Sequence, residues 1–255
     1  MARIFVTGST EGLGRAAAET LIKLGHQVVV HARNSHRSGS LSKLTGLGAE
    51  VVLGDLASER ETRSLADQVN GLGRMDAIIH NAGVYADQQR FPTPEGHPRT
   101  LAVNALAPYL LTALVERPDR LIYLTSDMHF GGDASLHDID WTARRWNGIQ
   151  AYCDSKLFVT ALSFAVARRW PCVHSNAVDP GWVPTRMGGP SAPDDLELGH
   201  LTQVWLATSD EPEATVSGAS WHHRRRQATA VAASDDKFQN RLLETLTQLT
   251  GVALP

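Results

Sequence analysis

The chain has 255 residues, 42% of them hydrophobic, and its formal net charge is -3 at pH 7. That length suits one α/β domain with a large core, and the small net charge gives no reason to expect nucleic acid or a membrane surface as a partner. Two cysteines exclude a disulfide framework, and their spacing is wrong for a zinc site, so we expect free thiols and no metal. No apolar run reaches the roughly 20 residues of a membrane span, and a strand starts too early for a secretory signal, which together predict a cytoplasmic protein.

Strand-like and helix-like segments alternate along the whole chain. Continuous apolar strands separated by helices are typical of a parallel sheet that is covered on both faces. No repeat, linker or change of composition divides the sequence, so residues 1–255 are predicted to form a single domain. The predicted strands are 4–6, 28–30, 50–53, 76–79, 120–124 and about 173–178; the predicted helices are 13–24, a short one within 40–48, 58–70, 98–117 and one that contains Tyr152.

A glycine-rich turn follows the first predicted strand. Gly8, Gly12 and Gly14 have the spacing Gly-x3-Gly-x-Gly, which differs from the common Gly-x-Gly-x-x-Gly fingerprint. Glycines at the start of a helix permit a tight turn and let a pyrophosphate approach the backbone. The sequence therefore predicts a phosphate-binding turn for a dinucleotide.

The residues after the second predicted strand bear on which dinucleotide is bound. No acid lies between Val30 and Asn34 to accept from ribose hydroxyls, whereas Arg33 could hold a 2′-phosphate. A solvated surface arginine is the alternative, and Glu11 would repel that phosphate if it pointed inward. NADP(H) is favoured, and NAD(H) remains possible.

Two later segments lie at the predicted carboxyl ends of strands, where open α/β sheets bind ligands. Asp55 could accept a hydrogen bond from the adenine amino group. Asn81-Ala82-Gly83 offers a small, permissive backbone beside a cofactor. Ordinary turn chemistry would account for either segment taken alone.

Tyr152 and Lys156 are four residues apart on a predicted helix, so their side chains share one face. An ammonium beside a phenol is one way to make tyrosine a proton donor and acceptor near neutral pH. Chance produces this spacing often, and a solvated helix face would explain it equally well.

Asn104 is followed four residues later by Pro108 within a predicted helix. Proline has no N–H to return to the Asn104 carbonyl. That carbonyl is therefore predicted to be free to accept from a water, unless the kink serves packing alone.

Taken together and in order, these motifs resemble the short-chain dehydrogenase/reductase family along nearly the whole chain. The chain looks most like the retinol-dehydrogenase-like and protochlorophyllide-reductase-like branches, because of its long Ser126-to-Tyr152 interval and its tail pattern. The matching positions are Thr7-Gly8-x3-Gly12-x-Gly14, Asn81-Ala82-Gly83, Asn104, Ser126, Tyr152-x3-Lys156 and Asn176-x3-Pro180-Gly181-x-Val183-x-Thr185.

The resemblance implies a Rossmann-type doubly wound sheet and hydride transfer between nicotinamide and a carbonyl or alcohol carbon. Tyr152 would be the general acid/base, Lys156 would stabilise the phenolate and hold the nicotinamide ribose, Ser126 would bind the substrate oxygen, and Asn104 would anchor a water. Alternation along a strand points the neighbouring Thr125 away from Ser126. The expected cofactor contacts are Thr7, Gly8, Ser9, Thr10, Gly12, Leu13, Gly14, Arg33, Asp55, Leu56, Asn81, Ala82, Gly83, Tyr152, Lys156, Pro180, Gly181, Val183 and Thr185.

Residues 186–199 are rich in Gly and Pro and are predicted to form a substrate lid. The expected substrate is a small to medium apolar carbonyl compound or alcohol. Six residues are predicted to line its pocket: His129, Phe130, Trp182, Met187, Leu196 and Leu198.

Several alternatives stay open. The activity could instead be that of an NAD(P)-dependent epimerase or dehydratase, although the segment after Thr185 is short for the substrate domain of such enzymes. A non-catalytic NAD(P) sensor is the other alternative. The run from His222 to Arg226 is interpreted as a solvated loop. The apolar helices allow a homo-oligomer, whereas the excursion between Ser126 and Tyr152 could cover them and leave a monomer.

Overall fold

The computed structural model describes all 255 residues. An eight-stranded sheet forms its centre, with the strand order β3-β2-β1-β4-β5-β6-β7-β8. All neighbouring pairs are parallel except β7 and β8. The strands are β1 (Arg3–Val6), β2 (Gln27–Ala32), β3 (Glu50–Leu53), β4 (Ala77–His80), β5 (Arg120–Leu124), β6 (His174–Asp179), β7 (Ser220–His222) and β8 (Arg225–Gln227).

Ten α-helices connect and cover these strands. They are α1 (Gly12–Lys23), α2 (Ser35–Ser38), α3 (Ser42–Gly46), α4 (Glu59–Gly71), α5 (Arg99–Leu101), α6 (Ala107–Leu114), α7 (Gly148–Arg169), α8 (Leu198–Thr208), α9 (Val231–Ser234) and α10 (Asp236–Thr250). Short 3-10 helices occupy Gly39–Leu41 and Asp127–Gly131, and a π-helical turn occupies Ala102–Leu106. No helix combines the length and the apolar composition that a membrane span requires.

Alternate residues of the strands fill two cores, one on each face of the sheet. In β1, Phe5 belongs to a cluster of 34 buried residues, whereas Ile4 and Val6 belong to a second cluster of 22. This division follows from the two-residue period of a strand and confirms the predicted sheet with helices on both faces. Chain order reverses between β1 and β4, and such a switch point opens a ligand crevice at the carboxyl ends of the strands.

Two predicted helices are less regular than the sequence indicated. The short helix predicted within 40–48 is present as α3, but α2 and a 3-10 helix directly precede it, so this connection is a series of short helices from Ser35 to Gly46. The predicted helix 98–117 ends at Leu114, and a π-helical turn interrupts it, with the Ala107 N–H donating to the Ala102 carbonyl. Pro108 follows directly, and its missing N–H explains why α-helical bonding cannot run unbroken through this point.

The run from His222 to Arg226 was interpreted as a solvated loop; its arginines are exposed, but the loop assignment was wrong. These residues form the end of β7, a two-residue turn and the start of β8, an antiparallel hairpin. His223 and Arg224 have φ values of 47° and 61°, which is the left-handed geometry that favours tight hairpins. The Arg226 guanidinium lies over the Trp221 ring at 5.5 Å from its centroid, so apolar contact also fixes the turn.

The chain itself covers the apolar faces of α6 and α7. Phe158 of α7 packs 6.5 Å, between ring centroids, from Phe238 of α10. The Tyr109 hydroxyl of α6 hydrogen-bonds Thr247 Oγ1 of α10 at 2.8 Å. α10 therefore covers these apolar faces, so the segment between Ser126 and Tyr152 is not their only cover.

His80, at the end of β4, is buried. It stacks on Tyr123 with the ring centroids 4.6 Å apart, its Nε2 lies 3.3 Å from Thr112 Oγ1, and its Nδ1 has no partner. Burial lowers the pKa of His80 from 6.5 to about 3. The folded state therefore keeps this ring neutral at pH values where the unfolded chain protonates it.

We expect this histidine to make the fold acid-sensitive. As pH falls from about 6.5 towards 3 only the unfolded state gains the proton, so the free energy of unfolding should drop by a few kcal/mol, at about 1.4 kcal/mol per pKa unit. His80→Phe keeps a ring against Tyr123 and leaves Thr112 its bonds to Pro108 and Tyr123. Urea unfolding at several pH values should show a flatter pH dependence for this variant, whereas replacing the exposed His137 with Asn should leave the wild-type slope. Equal slopes for wild type and His80→Phe would contradict the assignment.

Candidate active site

A threonine–asparagine contact holds the glycine turn at the switch point. The Thr7 hydroxyl accepts from the backbone N–H groups of Asn81 and Ala82, each at 3.0 Å, and Asn81 Nδ2 donates to the Thr7 carbonyl at 2.9 Å. A Cβ on Gly14 would lie 2.3 Å from Asn81 Nδ2 and 2.5 Å from the Gly8 carbonyl oxygen. Only glycine fits there, because α1 approaches the end of β4 so closely.

The start of α1 is available for a phosphate. Glu11 precedes the helix, yet its side chain makes no capping hydrogen bond to the helix N–H groups. Gly8 and Gly12 have φ values of 67° and 59°, so the turn uses conformations that other residues adopt rarely. Unfilled N–H donors at a helix start, with a glycine backbone beside them, fit the pyrophosphate of a dinucleotide.

The turn opens into a cavity of about 510 Å³ along the carboxyl ends of the strands. Most of the predicted cofactor residues line it: Gly8, Thr10, Gly12, Leu13, Arg33, Asp55, Leu56, Asn81, Ala82, Gly83, Tyr152, Lys156, Pro180 and Thr185. Thr7, Gly14, Gly181 and Val183 are not among its lining residues. Ser9 differs from its prediction as a cofactor contact, because its side chain is fully buried and donates to the Val6 carbonyl while accepting from the His31 N–H.

The predicted catalytic side chains converge at one end of this cavity. A Cβ on Gly83 would lie 3.4 Å from Asn104 Oδ1 and 3.7 Å from Lys156 Nζ. Tyr152 and Lys156 are one turn apart on α7, with Lys156 Nζ 5.5 Å from the Tyr152 ring centroid. Lys156 Nζ donates to the Leu124 carbonyl at 2.8 Å, which ties α7 to the end of β5.

Burial controls how these two groups titrate. It lowers the pKa of Lys156 to about 8, and the Asp179 carboxylate opposes that shift. It raises the pKa of Tyr152 well above 10, while the nearby Ser126 hydroxyl opposes the rise and Asp179 adds to it. The sequence argument expected Lys156 to ease ionisation of Tyr152, but here desolvation of the phenol is the dominant effect.

Ser126 and Thr125 diverge as strand alternation predicts. The Thr125 hydroxyl donates to the Lys156 carbonyl at 3.3 Å, on the α7 side. The Ser126 hydroxyl donates to Asp127 Oδ1 at 3.1 Å and accepts from the Met128 N–H at 3.2 Å. Ser126 thus begins the 3-10 helix that follows β5, with its hydroxyl on the Tyr152 side.

Asn104 uses its side chain to join three segments. Its Oδ1 accepts from the Val84 N–H at 2.8 Å, and its Nδ2 donates to the Val84 carbonyl and to Ser155 Oγ, both at 3.0 Å. The amide therefore fixes the segment after β4 against α7. A role was predicted for the Asn104 main-chain carbonyl only, and the role of the side chain was not predicted.

Arg37 is a site residue that the sequence analysis missed. It lines the cavity together with Arg33, and its Nη2 lies 3.3 Å from Thr10 Oγ1 and 3.1 Å from Glu11 Oε1. Asn34 caps α2 by accepting from the Arg37 N–H at 3.0 Å, which sets the backbone position. A second basic residue four positions after Arg33, behind an asparagine cap, was the available signal.

His31 is a second residue that was missed, and it supports the glycine turn. Its Nδ1 accepts from the Gly8 N–H at 3.0 Å, so its Nε2 carries the proton and donates to the Gly54 carbonyl at 2.8 Å. Burial lowers the pKa of His31, in agreement with this neutral form. A polar residue within the apolar strand β2 was the signal.

The predicted substrate pocket is corrected in part. All of its predicted residues but His129 are exposed, and of these only Met187 lines the cavity, whereas Phe130, Trp182, Leu196 and Leu198 do not. His129 is fully buried: it accepts from the Ala230 N–H at 3.0 Å and donates to the Ser126 carbonyl at 2.6 Å. Its two ring nitrogens are therefore used to hold the Ser126 segment against the C-terminal part of the chain.

Tyr85 was not predicted, and it packs edge-on against Tyr152 with the ring centroids 4.8 Å apart. The segment 186–199 folds back on Trp182, whose indole N–H donates to the Gly188 carbonyl at 2.8 Å. Its last two residues already belong to α8.

Sequence comparison identifies relatives over the full chain. A family model described as enoyl-(acyl carrier protein) reductase matches residues 8–213. The short-chain dehydrogenase chry4 of Gibberella zeae is 41% identical over 261 residues, which cover 100% of this chain and 99% of that protein. Human retinol dehydrogenase 13 is 29% identical over 286 residues, covering 99% and 85% of the two chains.

Solved structures show the same fold. A putative uncharacterized protein from Mycobacterium paratuberculosis superposes with a TM-score of 0.87 at 24% identity, covering 100% of this chain and 95% of that one. The Pseudomonas aeruginosa RhlG/NADP active-site complex gives a TM-score of 0.67 at 22% identity, covering 87% and 94%. With the full-length relatives above, these findings show that the chain belongs to the short-chain dehydrogenase/reductase family, and retinol dehydrogenases are among its relatives, in agreement with the resemblance to that branch.

Proposed function

We propose that the protein is an NADP(H)-preferring oxidoreductase that interconverts an apolar carbonyl compound and its alcohol, with Tyr152 as the general acid/base. One observation carries this proposal: a single cavity of about 510 Å³ joins the glycine turn and two arginines to Tyr152 and Lys156. A dinucleotide whose pyrophosphate lies at the start of α1 would have its two ends at these two groups of residues. When bound, this cofactor supplies or accepts the hydride.

Each residue at the reacting end of the cavity would have its own chemical role. In reduction Tyr152 would donate its phenolic proton to the carbonyl oxygen, and in oxidation it would take the proton of the alcohol. The Ser126 hydroxyl would donate a hydrogen bond to the same oxygen as negative charge develops there. Lys156, held by the Leu124 carbonyl, would keep a positive charge beside the phenolate and bind ribose hydroxyls.

Arginine placement supports NADP(H) over NAD(H). Arg33 and Arg37 both line the cavity at the carboxyl end of β2, where the 2′ position of the adenine ribose would lie. Asp55 is 4.0 Å from Arg33 Nε, so an acid is also present, but it follows β3 rather than β2. The complex of RhlG with NADP is in keeping with this preference.

The apolar substrate class rests on the side chains around the mouth of the cavity. Met187 lines it, and a methyl carbon of Met187 lies 4.0 Å from the position of a Cβ on Gly83. Tyr85 adds an aromatic edge beside Tyr152. Human retinol dehydrogenase 13, a relative, is named for an apolar alcohol.

Tyr152→Phe is expected to abolish turnover while leaving cofactor binding nearly unchanged. The variant keeps the ring against Tyr85 and loses only the proton that is transferred, so kcat should fall at least about a hundredfold. Steady-state assays with NADPH and a panel of aldehydes and ketones, beside fluorescence titration of NADPH, measure both quantities. Tyr85→Phe is the matched control and should stay active; full activity of Tyr152→Phe would rule out the mechanism.

Arg33→Ala is expected to weaken NADPH binding much more than NADH binding. The guanidinium would contact the 2′-phosphate through charge-assisted bonds, so a loss of about tenfold or more is expected for NADPH alone. Arg60→Ala, at an exposed arginine that pairs with Glu61 outside the cavity, is the control for net charge. Equal losses for the two dinucleotides would refute the 2′-phosphate role.

Binding of the cofactor should weaken as pH rises through about 8, where the buried Lys156 loses its charge. The lowered pKa means that the protonated ammonium dominates below this pH and the neutral amine above it. Dissociation constants of NADPH measured from about pH 6.5 to 9.5 should show this step in the wild type and lack it in Lys156→Met. A step that persists in Lys156→Met would assign the titration to another group.

A further inference from the structure

Glu11 is a carboxylate inside the predicted phosphate-binding region, and it is not used as a helix cap. It lies directly before α1, where an acidic side chain commonly accepts from helix N–H groups, yet it makes no such bond. Its Oε1 instead lies 3.1 Å from Arg37 Nη2 and 3.8 Å from Arg186 Nη1. One carboxylate oxygen therefore faces two guanidinium groups, and all three residues line the main cavity.

Arg37 is, beside Arg33, a second guanidinium on the cavity wall that a phosphate could reach. Besides Glu11 it contacts the Thr10 hydroxyl at 3.3 Å, so the glycine turn and α2 meet at this side chain. Arg33 lies on the same cavity wall and is near Asp55 rather than Glu11. An anion entering between the turn and α2 must therefore share Arg37 with Glu11 or displace it.

We infer that Glu11 is an internal competitor for the 2′-phosphate site and sets how strongly the protein discriminates NADPH from NADH. This inference rests on the proposed dinucleotide function. A 2′-phosphate carries close to two negative charges, so it binds Arg37 more strongly than one half-exposed carboxylate does, but it must first break the Glu11–Arg37 pair.

NADH and NADPH differ in whether they compete with Glu11 for Arg37. NADH offers a neutral 2′-hydroxyl and leaves the Glu11–Arg37 pair intact. NADPH displaces the carboxylate, which keeps Arg186 as its remaining cation. Glu11 thus weakens NADPH selectively and moves the protein towards use of both dinucleotides.

Glu11→Gln tests this directly, because it removes the charge and keeps the shape. We expect the dissociation constant of NADPH to fall about three- to fivefold, the upper part of the range for exposed ion pairs, with that of NADH nearly unchanged. Glu19→Gln is the matched control: Glu19 is also on the α1 segment and ion-paired, with Arg15 and Lys43, but it lies outside the cavity. It should change neither constant.

The double variant Glu11→Gln/Arg37→Ala separates competition from plain repulsion. If Glu11 acts by occupying Arg37, the gain from Glu11→Gln should shrink to less than about twofold once Arg37 is absent. A gain of the same size in that background, or an unchanged NADPH-to-NADH ratio in Glu11→Gln, would overturn the inference.

The binding measurements give a different result if the proposed function itself is wrong. A wild type that binds neither dinucleotide would refute that function and this inference with it. A wild type that binds NADPH and NADH equally, with NADPH favoured in Glu11→Gln, would refute the native NADP(H) preference and support the role of Glu11. Circular dichroism of each variant confirms that the fold is intact.

Discussion

The close approach of α1 to the end of β4 is the constraint on which the site depends. Gly14 leaves no room for a Cβ, and the Thr7–Asn81 hydrogen bonds hold the two segments at that distance. The same contact sets the start of α1, and with it the N–H groups that face the cavity. The Asn81 segment then continues to Gly83, next to Lys156, so one packing contact relates the phosphate end to the reacting end.

Burial determines how the reacting side chains ionise. Tyr152 and Lys156 are each about 95% inaccessible to solvent, and this dryness opposes ionisation of both. A neutral phenol suits the donation of a proton to a carbonyl oxygen. The buried Asp179, whose carboxylate acts on both groups, favours the charged form of the lysine and the neutral form of the tyrosine. Charge in this region is therefore set by depth within the fold as much as by the neighbouring residue.

The sequence predicted most clearly those features that depend on local spacing. The alternation of strands and helices, the glycine turn and the Tyr152–Lys156 pair follow from periodicity and from motifs within a few residues, and the structure places the last two along one cavity. Arg37 and His129 were missed or misplaced because their partners are distant in the chain: Thr10 is 27 residues from Arg37, and Ala230 is 101 residues from His129. A short histidine- and arginine-rich run likewise gave no sign that it pairs with itself as an antiparallel hairpin.

That hairpin also determines what the sheet presents at its outer edge. β8 is the last strand, and Arg225 and Arg226 are both exposed on it. An unpaired strand edge is a template for another chain, and charged side chains oppose such pairing. The three residues of β8 therefore pair with the edge of β7 that would otherwise be free. The two guanidinium groups repel any positively charged strand that would extend the sheet. At this edge the protein carries its own protection against strand-to-strand aggregation.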